Sequence, residues 1–315
     1  MFDFNYRLLR VTAESITAKL IRDLKNDTSR SIRKAIDFGS TFAKSELQRE
    51  FFNMARDVAS LPRNPFHQLI KRGVHSVDDA VFKTIGVNLG ITSFTYGARQ
   101  IRKQNAENGA VVSWLQEFDL TNGDNAPSVN TLEITIKHCM EMGSFAFAIR
   151  LDSEKTLFLP VLRVAARCKD CTFVCAVDAR CIGEEEAAAI YNAKNAVILL
   201  NIGHDASADS EQKRAEAFRI LREHRLLYGF LFRYGEGAKA DLTDEFLKEM
   251  IRCGCFTGVY AGPKDKAREA DSVYRYICAS REEGEDPILL FDYRRDAEYI
   301  QKLILHQCHF SYAGH

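Results

Sequence analysis

The side chains best suited to chemistry in this sequence are three cysteines, Cys168, Cys171 and Cys175, in a CxxCxxxC spacing. Three thiolates that converge on one point can ligate an iron-sulfur cluster, and loops allow that convergence more readily than a regular strand does. Here Cys168 falls at the end of a predicted helix, Cys171 opens an apolar run and Cys175 lies inside it. In such a setting a thiol behaves as a small apolar core residue. A cluster at these three residues is therefore the alternative reading. His306, Cys308, His309 and His315 crowd the C-terminal end, but their spacing matches no closed zinc module, so no metal is assigned to them. Gly235, Glu236 and Gly237 lack the third glycine and the helix opening of a phosphate loop. Cys253 and Cys255 flank Gly254 at a turn, and no Ser, His and acid set has a nucleophile motif around it.

A second constellation is dispersed. Asp119, Arg150, Asp152, Asp178, Arg180, Asn201, His204, Arg233 and Tyr260 all stand at or near the C-terminal ends of predicted strands. If those strands form a barrel, this is the end at which such folds place their sites. Arginines opposed by acids can hold a carboxylate or phosphate, because a guanidinium fork binds such groups through two parallel hydrogen bonds. The expected ligand is an anionic small molecule or peptide. The plain reading is a solvated rim where strands emerge into water.

The elements that would position these residues follow from periodicity. From Val111 onward, short apolar runs alternate with amphipathic helices, the pattern of βα units. The runs are Val111 to Phe118, Phe145 to Ile149, Thr172 to Val177, Val197 to Leu200, Tyr228 to Phe232, Thr257 to Tyr260 and Ile288 to Phe291. Helices are predicted at Leu132 to Met142, Phe158 to Arg167, Glu184 to Asn192, Glu211 to His224 and Asp244 to Arg252. Strands without clean alternation are buried on both faces, and right-handed crossovers curl them into a partial or closed barrel. Residues 1–110 read as helical. Ile16, Leu20 and Leu24, and then Leu47, Phe51, Met54 and Val58, recur at helical spacing as core rows. Pro62 and Pro65 break the pattern, Ser76 is the expected cap of the next helix, and Asn108 with Gly109 closes the region.

Bulk properties narrow the class. With 315 residues, 46% hydrophobic and 27% charged, the chain can bury a sizeable core. Its apolar runs are too short to span a bilayer and its start lacks a signal peptide, so the expected location is the cytoplasm, without a transmembrane segment. Nine cysteines, an odd number, favour free thiols there. Lys plus Arg equals Asp plus Glu at 43 each, so no global field draws the protein to nucleic acid. Residues 1–110 nevertheless carry 18 basic and 11 acidic side chains, leaving 25 and 32 for the remainder. Such complementarity serves first to pack one part on the other.

Several segments in order, Asn64 to Lys71, Ile85 to Arg102, Ser113 to Leu115, Glu141 to Ile149, Lys169 to Val174, Ala217 to Phe230, Glu245 to Thr257 and above all Pro287 to Tyr299, resemble a group of bacterial radical SAM proteins. In the last of these, Asp292, Asp296, Glu298 and Tyr299 stand where similar proteins carry an Asp-Phe-Trp-Asn-Asp-Gly-Glu-Tyr run. The resemblance implies an α/β fold: a partial TIM-like (βα)6-type radical SAM barrel at 111–315, truncated at the C-terminus, behind a helical region at 1–110. It also implies a CxxxCxxC loop after the first strand, yet the chain there runs Thr121, Asn122, Gly123, Asp124, Asn125, Ala126, Pro127 with no cysteine. The family's Gly-Gly-Glu-Pro turn, which receives the amino group of S-adenosylmethionine, corresponds to Leu151, Asp152, Ser153 and Glu154. Its later Thr-Asn-Gly and Ser-x-Glu-Gly turns become Asp178, Ala179, Arg180 and Asn201, Ile202, Gly203, His204.

The resulting expectation is a pseudoenzyme without cofactor that acts by binding or scaffolding, with a 4Fe-4S cluster and S-adenosylmethionine as the alternative. Its expected partner is an active radical enzyme or a second copy of itself, contacted through the basic N-terminal helices with Phe2 and Phe4. A rival use of that end is membrane-surface attachment, since Phe2, Phe4, Tyr6, Leu8 and Leu9 are interleaved with Arg7 and Arg10.

Overall fold

A computed structural model describes residues 4–41, 46–60, 65–109, 111–121, 126–202, 208–235, 240–263, 267–282 and 284–309. The first third is helical: α1 (Phe4–Asn26), α2 (Thr28–Thr41), α3 (Glu46–Ser60), α4 (Pro65–Ser76), α5 (Asp79–Val87), a π-helical segment (Asn88–Gly97) and α6 (Ala98–Asn108). Seven strands then alternate with helices. They are β1 (Leu115–Asp119), β2 (Ala146–Asp152), β3 (Thr172–Val177), β4 (Ala196–Ile202), β5 (Tyr228–Arg233), β6 (Thr257–Ala261) and β7 (Leu289–Asp292). Between and after them lie α7 (Val129–Met142), α8 (Lys155–Arg167), α9 (Glu184–Ala193), α10 (Ala208–Glu223), α11 (Asp244–Arg252), α12 (Ala267–Glu282) and α13 (Tyr293–Ile304).

All seven strands are parallel and lie in sequence order, so the expected partial TIM-like barrel is present as a seven-stranded half-barrel, with one strand more than the six-unit type. Each parallel neighbour needs a helical crossover, and crossovers of one hand place all the helices on one side. That side is the convex one. Phe147, Ile149, Leu151, Phe173, Cys175, Val177, Ile198, Leu200, Phe230, Phe232 and Leu290 face it and build the main core with the helices. The alternate residues Ala176, Leu199, Leu231 and Val259, with Val174, Ala261, Phe291 and Tyr293, line the smaller concave face.

Curvature is visible in one contact. Arg233 at the end of β5 reaches Asp152 at the end of β2 at 2.9 Å. Three strand spacings separate them, roughly 14 Å in a flat sheet, which is farther than an arginine and an aspartate side chain span together. The edges β1 and β7 are bridged by α13, where Gln301 accepts from the Trp114 amide (2.8 Å) and donates to the Val112 carbonyl (3.0 Å), and Trp114 Nε1 donates to the Ala297 carbonyl (2.9 Å).

The helical region caps the opposite, N-terminal end of the strands. The Asp78 amide donates to the Arg225 carbonyl before β5, and Arg72 donates to the Cys255 and Pro287 carbonyls before β6 and β7. Asn88 donates to the Lys169 and Cys171 carbonyls before β3. Val77, Val81 and Ile85 pack on Val197 and Phe256.

Three sequence expectations shift. The first strand begins at Leu115, not Val111. The cap of α5 is Asp78, whose carboxylate accepts from the Ala80 and Val81 amides, because Ser76 still belongs to α4. Phe51, expected in a core row, is 47% exposed, while the side chains of Leu47, Met54 and Val58 lie outside the described set. Gly109 does close α6, in the left-handed region (φ 63°) that glycine enters without a Cβ clash.

Candidate functional site

Period-two alternation decides which strand ends look into the concave mouth. On β1 these are Glu117 and Asp119, on β2 Arg150 and Asp152, on β4 Asn201 and on β5 Arg233, while Asp178 and Arg180 follow β3 directly. Between Arg150 and Asp152 the register to β3 shifts, so that Arg150 pairs with Ala176 and Asp152 with Val177. Asp152 turns into the left-handed region there (φ 46°). The backbone beneath it is pinned: the Asp152 carbonyl accepts from the Asp178 amide (2.8 Å) and from the buried Cys181 thiol (3.4 Å).

The side chains form one connected network. Asp119 Oδ1 accepts from the amide and hydroxyl of Thr121 (2.9 and 2.6 Å), and its Oδ2 accepts from Arg150 Nη1 (3.1 Å). Arg150 Nε donates to Asp152 Oδ2 (2.8 Å), and Arg233 Nη1 donates to the same carboxylate (2.9 Å). Asn201 Nδ2 donates to both Asp152 Oδ1 and Asp178 Oδ1 (2.9 Å each), and Arg180 Nη2 donates to Asp178 Oδ2 (2.9 Å). Asn201 Oδ1 is buried with no partner among the described residues.

Burial works against the charge on Asp152, but hydrogen bonds from Arg233 and Arg150 outweigh it and hold the carboxyl below the usual carboxylate range. Asp119 behaves alike: its partial burial is overcome by the Thr121 hydrogen bonds and by Arg150. Both are ionised at neutral pH and act as acceptors, so neither is a proton donor there.

Seven of the nine residues singled out from the sequence therefore meet in one place. Tyr260 does not. Its neighbours Val259 and Ala261 take the concave face, so by alternation Tyr260 points outward, fully buried, with its hydroxyl on the Asp241 carbonyl (2.9 Å) and its ring stacked on Phe232. His204 lies outside the described residues. Two further members escaped the sequence reading. Thr121 follows Asp119 in an Asp-x-Thr turn, a local signal visible in the chain. Tyr293 opens α13, and burial together with the Glu117 carboxylate that it hydrogen-bonds pushes its hydroxyl pKa up. Only the closeness of β7 to β1 makes that pair.

Among the described residues, the cysteines are not arranged to hold an iron-sulfur cluster. No cysteine precedes Cys139 in the chain, so the segment after β1 holds none. Cys168, Cys171 and Cys175 are all buried in the outer core, and burial raises each thiol, Cys175 to about 12, which disfavours the thiolate a metal needs. Cys175 points from β3 toward the helices, away from the mouth. Among the described residues no group of three or more His, Cys, Asp or Glu side chains is placed to hold a metal ion. At the C-terminal end, His309 Nδ1 meets Glu50 at 2.9 Å, and His315 lies outside the described residues.

No protein-family model matches the chain, and no curated protein does. Among solved structures it is similar to the crystal structure of Streptococcus suis SuiB bound to S-adenosylmethionine, with 13% identity and a TM-score of 0.48 over 69% of this chain. The match spans 56% of the SuiB chain.

Proposed function

We propose that this chain acts by binding, as a pseudoenzyme with a radical-SAM-like half-barrel that serves as scaffold or regulatory partner of another protein. Its mouth receives an anionic small molecule or the acidic part of a peptide. The observation that carries this reading is the ion-pair chain Asp119, Arg150, Asp152, Arg233, which runs across the mouth, in a sequence with no cysteine before Cys139. Its carboxylates are satisfied acceptors, suited to orienting arginines and not to donating protons. Arg150 and Arg180 keep 45% and 63% of their side chains open, so an incoming carboxylate or phosphate meets guanidinium edges already held in place.

Anaerobic cluster reconstitution followed by iron and sulfide quantification is the first test. Metal and sulfide at background are expected. Cluster absorption that disappears in a Cys168, Cys171, Cys175 triple alanine variant would overturn the reading. Calorimetry is the second arm, with S-adenosylmethionine expected to give no binding heat. Inorganic phosphate, used as the anion probe, is expected to bind, and more weakly after Arg150→Ala, Arg180→Ala or Arg233→Ala. Equal phosphate binding in all three variants would remove the mouth from the proposal.

A further inference from the structure

Helix α1 has one face committed to the fold and another that nothing described covers. The committed face carries Tyr6, whose hydroxyl lies 2.9 Å from Thr92 Oγ1 and whose ring packs 4.4 Å from that of Tyr96. One turn on, Arg10 reaches Thr92 (2.7 Å), Asn88 (2.8 Å) and Asp170 (2.9 Å), and Ile21 and Leu24 complete the buried edge. At about 100° per residue, the direction opposite Tyr6 is occupied by Phe4, Leu8 and Val11. These are 78%, 58% and 62% exposed. The same stripe continues through exposed Ser15, Lys19 and Arg22, with Arg7 on its flank. The acids of α1 stand off it. Glu14 is half-buried and held by Arg10 at 3.1 Å, and Asp23 projects from the far flank.

We propose that this face of α1 contacts an anionic lipid surface, lying flat with Phe4, Leu8 and Val11 in the headgroup boundary and Arg7, Lys19 and Arg22 against the headgroups. Charge decides between occupants. A second copy packed parallel would set Lys19 and Arg22 against their equivalents, and one packed antiparallel would set them against Phe4 and Leu8, because among the described residues the stripe holds no acid to answer them. Area argues against a compact protein epitope. The apolar part of the stripe, three part-open side chains on two turns, offers at most about half of the ~800 Å² that a stable protein contact buries per partner, and the rest of the stripe is basic. A lipid surface needs no complementary pocket. It takes apolar side chains and cations together, and a short apolar stripe combined with basic residues is the pair of weak signals that holds a peripheral protein. This inference is independent of the mouth.

The test is co-sedimentation of the full chain with vesicles of phosphatidylcholine plus phosphatidylserine, and with vesicles of phosphatidylcholine alone. Binding is expected to the anionic vesicles only, and to weaken as salt is raised. The double variant Leu8→Asp, Val11→Asp should lose at least about tenfold in binding at an unchanged melting temperature, since both side chains project into solvent. If that variant misfolds, Lys19→Glu with Arg22→Glu tests the same face through charge alone. Absence of binding to anionic vesicles overturns the proposal, as does equal binding by a folded double variant. Loss of a dimer or of an acidic protein partner in that variant, with vesicle binding unchanged, also overturns it.

Discussion

Asp152→Asn isolates the charge at the centre of the mouth, because asparagine keeps the shape and also tolerates the left-handed backbone that Asp152 adopts. Three donors converge on this carboxylate. Arg150 loses little, since it retains Asp119 and is 45% exposed, where an ion pair contributes ~0–1 kcal/mol. Asn201 retains Asp178. The main cost falls on Arg233, whose side chain is only 24% exposed. A hydrogen bond to a charged partner contributes ~1.5–3 kcal/mol, and partial solvation reduces this, so a loss of about 2 kcal/mol is expected. Urea unfolding followed by Trp114 fluorescence measures it, and a cycle with Arg233→Met should give a coupling of about 1–2 kcal/mol. The same substitution should improve anion binding. Removing a unit charge about 5 Å from a bound anion in a water-like dielectric gains roughly 0.8 kcal/mol, or about fourfold in phosphate affinity. Stability within ~0.5 kcal/mol of wild type with no coupling to Arg233 would refute the network as the organiser of the mouth, whereas weakened phosphate binding would refute only the charge argument for tighter binding.

Two further predictions follow from the same electrostatics. Asp119 and Asp152 have depressed folded-state pKa values, so their stabilisation is complete above the unfolded carboxylate value of ~3.9 and is lost as pH falls through the folded values. The stability difference between wild type and Asp152→Asn should therefore be full at neutral pH and shrink progressively below pH ~4; a constant difference down to acid would contradict the assignment. Arg281 and Asp296 form a fork at 3.0 and 2.5 Å with side chains 8% and 9% exposed, and Asp296 also accepts from the Asp292 amide. Asp296→Ala should cost ~3–5 kcal/mol by stranding a buried guanidinium, and Asp296→Leu with Arg281→Met should recover most of it. A single-variant loss under ~1 kcal/mol in urea unfolding would show that the pair is not buried as described.

Over Pro287 to Tyr299 the structure supplies a reason for the residues. Asp292 caps α13 through the Arg294 and Arg295 amides, and Asp296 closes on Arg281 from α12. These are fold-forming roles.

By itself the sequence determined the alternation of seven buried runs with helices, because a strand buried on both faces and a helix with one apolar stripe each leave a local periodicity. It also determined that no thiol stands between β1 and α7, since that is a matter of residue identity alone. Only the tertiary structure decided which strand-end residues share the mouth. Tyr260 and Arg233 both sit near strand ends, and one-residue differences in register send the first outward and the second inward. The contact of Arg233 with Asp152, the pairing of Tyr293 with Glu117 and the exposure of one face of α1 among the described residues likewise join or part residues distant in the chain. They depend on how far the sheet curls and where the helical region docks, and both are set by long-range packing that leaves no mark on local spacing.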